Sequence, residues 1–293
     1  MEVQNMVKPI CKYSTLVKRI EDLNYELEKC IDIAFSGRKG PTLIEIPDDI
    51  SRMTMPKKLK HYKTKIKNDT RKINYNKIIE LIKKSQKPLI VIGNGCLQSD
   101  SIEDSKKFIK NNKLPYTASW AVIHYFSSYD PLNVGSFGVA ATRNGNFAVQ
   151  KSDLIIFLGT RLSTQMIGGN INTFAPNAKK VIIDIDKEEF SSQRLPKIDL
   201  KINCDVKKFL KGLNKIKLNK KTNDIKTWVK EMNILKKNYP ILSNNNLKNK
   251  KFVDPYFFFD KFYSYIKKNS IVIPDASANL IWTYQTLKTE NKL

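Results

Sequence analysis

Strand-sized apolar runs alternating with helical segments over about 140 residues constrain the fold of this chain most. Residues 89–92 (LIVI) and 154–158 (LIIFL) carry no polar side chain, which is typical of strands buried on both faces of a sheet. Strands are predicted at residues 87–93, 114–119, 153–159, 180–186 and 200–204. Helices are predicted at residues 75–84, 99–111, 143–150 and 205–213. This alternation predicts an α/β fold with a doubly wound, mostly parallel sheet.

Both ends of the chain carry only pieces of further α/β units. Residues 20–34 form a predicted amphipathic helix, with Leu27, Cys30 and Ile31 on its apolar stripe, and residues 42–47 a short strand. One helix and one strand cannot enclose a core.

The other end shows the same kind of incomplete unit. Asp254 and Pro255 predict the N-cap and first residue of a helix. A strand at residues 271–274 and a helix at residues 277–287 are predicted to follow it. The fold class is therefore a central doubly wound domain flanked by incomplete α/β pieces.

The formal charge of +24 suggests binding to nucleic acid or to an anionic membrane surface. However, only seven of the 52 basic residues are arginine, the residue that base readout and bidentate phosphate contact favour. The lysines are spread over every segment together with asparagine and isoleucine, as AT-rich codon usage would produce. We interpret the charge as a solvated surface and expect no nucleic-acid partner, with a basic nucleic-acid binder as the alternative.

Other sequence features limit the setting of the protein. No apolar run approaches the roughly 20 residues of a membrane span, and residues 1–10 lack the apolar region of a secretory signal. The four cysteines are scattered without a CxxC, and the two histidines have no partner spaced for a triad or a metal. We therefore expect a cytoplasmic protein with no membrane partner, no metal ligand and no assigned catalytic residue.

Three predicted strand ends carry residues that could bind a ligand, because open parallel sheets bind ligands at the carboxyl ends of their strands. Gly93 and Gly95 could let backbone N–H groups approach a phosphate, or could form a tight turn without a ligand. Arg161 could pair with a phosphate or carboxylate, or form a surface ion pair. Asp184 could accept hydrogen bonds from a ribose, and the alternative is that the Asp184–Asp186 turn caps the next helical turn.

A fourth candidate lies between the last predicted strand and helix, at residues 275–279. Its backbone N–H groups and the hydroxyl of Ser277 could hold a phosphate. From these residues alone, a plain capping turn is the better interpretation.

Taken together, these segments resemble the thiamine-diphosphate-dependent enzymes related to the acetolactate synthase large subunit. Residues 146–162 (NFAVQKSDLIIFLGTRL) resemble the family's central-domain pattern ANxAVQxADLLIxLGxRL. Residues 40–49 (GPTLIEIPDD) resemble the end of its pyrimidine-binding domain, and residues 273–282 the start of its pyrophosphate-binding domain. Weaker similarity extends over residues 7–13, 174–179 and 181–186.

The resemblance implies a five-part organisation. The parts are the end of a pyrimidine-binding domain (1–55), a linker (56–72), a central domain (73–213), a linker with a helix (214–250) and the start of a pyrophosphate-binding domain (251–293). It also implies a parent enzyme that decarboxylates and joins 2-keto acids, uses thiamine diphosphate and Mg²⁺, and forms a homo-oligomer.

The resemblance also assigns cofactor-binding residues. Ser277, Ala278 and Asn279 lie where relatives hold the diphosphate. The stretches that bind FAD in acetolactate synthase itself contain Gly93, Gly95, Gly135, Gly138, Arg161 and Asp184. The family's GMHG turn is here GVAA at residues 138–141, and its DDR is STQ at residues 163–165. Both differences remove polar or charged groups, which weighs against FAD.

The groups that start and anchor the cofactor chemistry have no counterpart in residues 1–293. The family's catalytic glutamate belongs to a part of the pyrimidine-binding domain that this sequence does not contain, and no GDG magnesium motif occurs. We therefore expect residues 1–293 alone to have no catalytic turnover. Because the units at both ends are incomplete, we also expect the chain to self-associate through apolar surface left uncovered at residues 257–262 and 282–287. The alternative is a non-catalytic nucleotide- or FAD-binding module with the same central fold.

Overall fold

A computed structural model describes residues 3–64, 72–191, 193–218, 222–243, 251–267 and 269–290. The chain forms two compact units, residues 1–71 and 72–293. Parts of both predicted linkers lie outside the described residues, and the five-part organisation remains a prediction. Among the described residues, no helix is both long enough and apolar enough to cross a lipid bilayer.

The first unit is built on two parallel strands joined by a helix. Its elements are α1 (Val3–Val7), β1 (Tyr13–Leu16), a 3₁₀ turn (Ile20–Asp22), α2 (Leu23–Phe35), β2 (Thr42–Glu45) and α3 (Asp48–Ser51). β1 and β2 pair in parallel, with Tyr13 opposite Thr42, and α2 is the crossover that parallel strands require. The sequence analysis did not predict β1.

The apolar stripe expected on α2 is only partly buried. Cys30 is buried, whereas Leu27 and Ile31 are 44% and 54% exposed. Two strands offer a surface too narrow to cover the whole stripe. The predicted helix is therefore present, with part of its apolar stripe exposed.

The start of the predicted linker is fastened to α2. The Glu28 carboxylate accepts the N–H of Tyr62 at 2.7 Å and lies 2.8 Å from His61 Nδ1. Asn24 Nδ2 donates to Lys60 O at 2.9 Å. Residues 60–62 therefore belong to the first unit rather than to a free linker.

The second unit contains the predicted parallel sheet. Its strands are β3 (Pro88–Ile92), β4 (Tyr116–Ala118), β5 (Leu154–Leu158), β6 (Lys179–Asp184) and β7 (Leu200–Asn203). They lie in the order β4-β3-β5-β6-β7, and every neighbouring pair is parallel. Every residue of β3 and β5 is buried, which explains their uniformly apolar sequences. The predicted α/β class is confirmed.

Helices cover both faces of this sheet. They are α4 (Asn76–Lys84), α5 (Asn94–Gln98), α6 (Ile102–Asn112), α7 (Arg143–Lys151), α8 (Thr164–Ile167), α9 (Val206–Leu213) and α10 (Thr222–Asn238). Ile78, Phe108 and Phe209 of α4, α6 and α9 pack against one face. Val149 and Trp228 of α7 and α10 pack against the other. The helix predicted at residues 99–111 corresponds to α6, and α5 was not predicted from the sequence.

Helix α10 belongs to the core, although the sequence analysis placed it in a linker. Trp228 and Met232 are 1% and 2% exposed. The indole Nε1 of Trp228 donates to Pro88 O, at the start of β3, at 3.1 Å. The helix therefore closes one face of the sheet.

The last segment contains α11 (Pro255–Tyr265) and α12 (Ala278–Thr286). Asp254 caps α11, as predicted, by accepting the N–H of Phe257 at 3.0 Å. Residues 271–274 do not form the predicted strand, and Ile271 and Ile273 are each 86% exposed. A strand needs a neighbour for its N–H and C=O groups, and no strand among the described residues pairs with this segment.

Candidate functional site

The carboxyl ends of all five parallel strands of the second unit lie at one edge of the sheet. The chain leaves neighbouring strands β3 and β5 toward opposite faces, because Cys96 of α5 and Ile167 of α8 belong to different core clusters. Such a divergence is where open α/β sheets bind ligands. Gly93 and Gly159 directly follow these two strands, as predicted from the sequence.

Gly93 and Gly95 form a turn whose backbone packs directly against Gly159. A Cβ atom at Gly95 would lie 2.6 Å from Gly159 Cα, and Gly159 has a φ of +55°. The N–H of Gly93 donates to Leu158 O at 2.9 Å, and that of Gly95 to Gly159 O at 2.8 Å. These N–H groups bond within the protein, which matches the tight turn that was the alternative to a phosphate cradle.

Gly135 and Gly138 lie in a loop held by side chains from the start of α7. Both have positive φ, +91° and +121°. The N–H of Gly138 donates to Asn146 Oδ1 at 2.8 Å, and Asn146 Nδ2 donates back to Gly138 O at 3.0 Å. The N–H of Gly135 donates to Asn133 Oδ1 at 3.0 Å. Asn146 and Asn133 therefore fix the loop. Asn146 belongs to the stretch that resembles the family pattern, but its role in holding the loop was not predicted, and no sequence feature indicated Asn133.

Arg161 and Asp184 also lie at this edge, where each makes a contact within the protein. Arg161 Nε lies 3.5 Å from Glu189 Oε1, and the arginine side chain is 74% exposed. Asp184 Oδ1 accepts the N–H of Asp186 at 2.9 Å. Asp186 caps the 3₁₀ turn Lys187–Phe190 by accepting the N–H of Glu188 at 3.0 Å. Both alternatives to ligand binding are therefore present: Arg161 forms an ion pair, and the Asp184–Asp186 turn caps the next helical turn.

The N-terminus of α12 carries the predicted diphosphate residues. Ser277 is the N-cap residue, with a φ of +70°, and its side chain makes no capping hydrogen bond. Ser277 and Asn279 are exposed. The Asp275 carboxylate accepts the N–H of Ala276 at 2.7 Å. The first turn of α12 thus presents backbone N–H groups that the Ser277 hydroxyl does not cap.

Helix α12 is anchored to loops at the same edge of the sheet. The rings of Trp120 and Tyr284 stack with a centroid distance of 5.7 Å. Gln285 Nε2 donates to the carbonyls of Ala140 and Ala141 at 3.0 and 3.2 Å. The GVAA turn at residues 138–141 therefore receives a side chain from this chain's own last helix.

Burial shifts the pKa of two titratable side chains near this edge, Cys96 and His124. Burial raises the pKa of the Cys96 thiol to about 12, and burial lowers the pKa of His124. A thiol with so high a pKa is inert as a nucleophile. Within the part of the chain that the structure describes, no group of three or more His, Cys, Asp or Glu side chains could hold a metal ion.

Comparison with known proteins finds similarity to one family of enzymes. Residues 75–213 match the family model described as thiamine pyrophosphate enzyme, central domain. Over 248 residues, 82% of this chain, the sequence is 30% identical to acetolactate synthase 2, chloroplastic, of Nicotiana tabacum. It is 29% identical over 249 residues to acetolactate synthase, chloroplastic, of Arabidopsis thaliana. These matches span 37% and 36% of the two relatives' lengths, so the chain corresponds to about a third of such an enzyme.

Proposed function

We propose that residues 75–213, which match the model of the thiamine pyrophosphate enzyme central domain, are such a domain, and that the chain is a portion of an enzyme that decarboxylates and joins 2-keto acids. The observation that carries this proposal is the similarity to acetolactate synthases, which extends beyond the central domain to 82% of the chain. When bound, thiamine diphosphate supplies the carbanion chemistry, and the protein binds and orients it.

Ser277, Ala278 and Asn279 would hold one end of the diphosphate. The structure offers a physical basis, because the first-turn N–H groups of α12 are not capped by Ser277. Uncapped N–H groups at a helix N-terminus attract phosphate oxygens, and the helix dipole adds to this attraction. The hydroxyl of Ser277 and the amide of Asn279 can donate further hydrogen bonds.

The magnesium ion and the polarisation of the aminopyrimidine need groups that the described part of the chain does not bring together. The described residues contain no acidic cluster for a cation, and the sequence has no GDG motif. We infer that residues 1–293 have no turnover by themselves.

The residues at the glycine turns do not fit a flavin pyrophosphate. The N–H groups of Gly93, Gly95, Gly135 and Gly138 each donate to an acceptor within the protein. A backbone cradle needs such groups free to donate to phosphate oxygens. The bonded N–H groups and the absence of the family's polar residues at 138–141 and 163–165 both support an enzyme portion that does not use FAD.

Titration with FAD separates this proposal from the alternative of a flavin-binding module. We expect the purified chain to show no flavin absorption and no saturable quenching of added FAD fluorescence. An acetolactate synthase that binds FAD serves as the positive control. Saturable FAD binding that is lost in Arg161→Gln would contradict the proposal and favour the flavin-binding module.

We also propose that a second copy of this chain covers the apolar surface of α11 and the segment after it. Phe258 and Phe262 are 50% and 44% exposed, and Tyr265 is 85% exposed. A cavity of about 560 Å³ is lined by Phe262, Ile271 and Ile273, among other residues. Exposed apolar surface of this extent favours association.

Sedimentation velocity at low and high protein concentration tests this association. We expect a concentration-dependent dimer, and we expect the double substitution Ile271→Asp, Ile273→Asp to shift the protein to monomer. Val139→Asp changes an exposed apolar residue outside this surface and is the control. A wild-type monomer at the highest concentration, or equal dissociation by the control, would refute self-association through this surface.

A further inference from the structure

A smaller cavity lies at the opposite edge of the sheet, where β6 and β7 begin. Its volume is about 280 Å³. Lys179 is the first residue of β6, and Asp199 directly precedes β7. The polar residues lining the cavity are Asn172, Asn177, Lys179, Lys180, Lys197 and Asp199. Because these residues are at the amino ends of the strands, the cavity is separate from the glycine turns at the carboxyl edge.

Lys180 places a buried ammonium group beside this cavity. The residue is 4% exposed, and its Nζ donates to Ala175 O at 2.7 Å and to Ala178 O at 3.0 Å. A lysine ammonium has three donors. Among the described residues, these two carbonyls are the hydrogen-bond acceptors of Nζ, so one donor remains for a ligand.

The buried ammonium has no carboxylate in contact among the described residues. Asp199 is the acidic residue that lines the cavity, and its Oδ1 accepts Lys179 Nζ at 2.9 Å. Its Oδ2 accepts the backbone N–H of Lys180, also at 2.9 Å. Both oxygens are therefore engaged elsewhere. A buried ammonium that is bonded to neutral carbonyls, with no carboxylate among its described hydrogen-bond partners, is costly.

Electrostatics around Lys180 favour a bound anion. Burial is the main cause that lowers the pKa of Lys180, and the charges of Lys179 and Lys197 lower it further, whereas Asp199 raises it. Three lysines thus face one carboxylate around the cavity. An anion would balance the excess positive charge.

The loop that surrounds the ammonium is held in a strained conformation. Ala175 has a φ of +43°, a region that costs a residue other than glycine about 1 kcal/mol or more. Its N–H donates to Gln150 Oε1 at 3.1 Å, while its carbonyl accepts Lys180 Nζ. These two bonds fix the loop and with it the position of the ammonium.

We propose that this cavity binds a small oxyanion of the phosphate class. Lysine ammonium groups are compact point charges suited to phosphate oxygens, and the amides of Asn172 and Asn177 add neutral donors. The three lysines supply the charge that a dianion needs. This inference does not depend on the proposed enzymatic function.

Isothermal titration of the full chain with inorganic phosphate, at an ionic strength held constant with sodium chloride, tests the site. We expect saturable binding of one phosphate with a dissociation constant of about 1 mM or tighter. Lys180→Met removes the buried donor and should weaken binding about tenfold. Lys197→Gln removes an exposed charge at the rim and should weaken it about threefold.

Lys83→Gln is the matched control, because Lys83 is an exposed lysine on α4 that does not line the cavity. It should bind phosphate like the wild type. Lys197→Gln keeps the inference testable if Lys180→Met fails to fold, which far-UV circular dichroism would show. The site would be refuted by the absence of saturable binding to the wild type, by normal binding to a folded Lys180→Met variant, or by equal weakening in Lys83→Gln and Lys197→Gln.

Discussion

Replacing Gly95 with alanine should destabilise the second unit by about 3 kcal/mol, because the turn has no room for a side chain. The new Cβ would lie 2.6 Å from Gly159 Cα and 2.9 Å from Gly159 O. These are backbone atoms of a residue that is itself bonded to the Gly95 N–H. They cannot move without separating β3 from β5. Urea unfolding followed by tryptophan fluorescence measures the effect, since Trp120, Trp228 and Trp282 all lie in this unit.

Gly169→Ala is the control for this prediction. A Cβ atom at Gly169 would have no heavy atom within 4 Å, and this glycine does not have positive φ. Its substitution should change the free energy of unfolding by less than about 0.5 kcal/mol. A small effect of Gly95→Ala, similar to that of the control, would show that the two turns do not pack as described and would reopen the turn as a ligand cradle.

Truncating Trp228 to alanine should cost about 3–5 kcal/mol of stability. The indole is 1% exposed on one face of the sheet, and its loss would leave both a cavity and an unpaired carbonyl at Pro88. Trp228→Phe keeps most of the ring volume and should cost less than the alanine variant. Urea unfolding followed by far-UV circular dichroism compares the three proteins.

Ile234→Ala on the same helix is the matched control, because Ile234 is 49% exposed. It should cost less than about 1 kcal/mol. If Trp228→Ala were equally mild, α10 would be a connector that adds little to the core. A large difference between the two variants supports its place in the core.

The sheet was predictable because its signal is local. Strands β3 and β5 are buried on both faces, so each is marked by a run of apolar residues that needs no knowledge of its neighbours. β1 carries the mixed sequence YSTL and gave no such run. Residues 271–274 carry the run IVIP but form no strand, because pairing depends on a neighbour rather than on propensity.

The role of α10 was missed for a different reason. Its flanks are rich in lysine and asparagine, which is typical of a linker, so the helix was assigned to a linker rather than to the central domain. Trp228 contacts Pro88, 140 positions away, and no local pattern reports such a contact.

The candidate site was predictable in place but not in detail. Parallel strands bring Gly93, Gly159 and Asp184 to one edge, and this follows from topology alone. Which N–H groups are already bonded depends on how the loops fold, as in the contacts of Asn146 with Gly138. The stacking of Trp120 on Tyr284 likewise joins two segments that are distant in the sequence. Spacing in the sequence carries no information about these contacts.

The central claim is that these residues supply the scaffold of a thiamine-diphosphate-dependent enzyme without its catalytic groups. Its most direct test is an assay of the purified 293-residue chain with pyruvate, thiamine diphosphate and Mg²⁺, beside a complete acetolactate synthase as positive control. We predict no acetolactate above the protein-free blank, at any cofactor concentration at which the control is saturated. Sustained formation of acetolactate in proportion to the amount of the chain would contradict the claim.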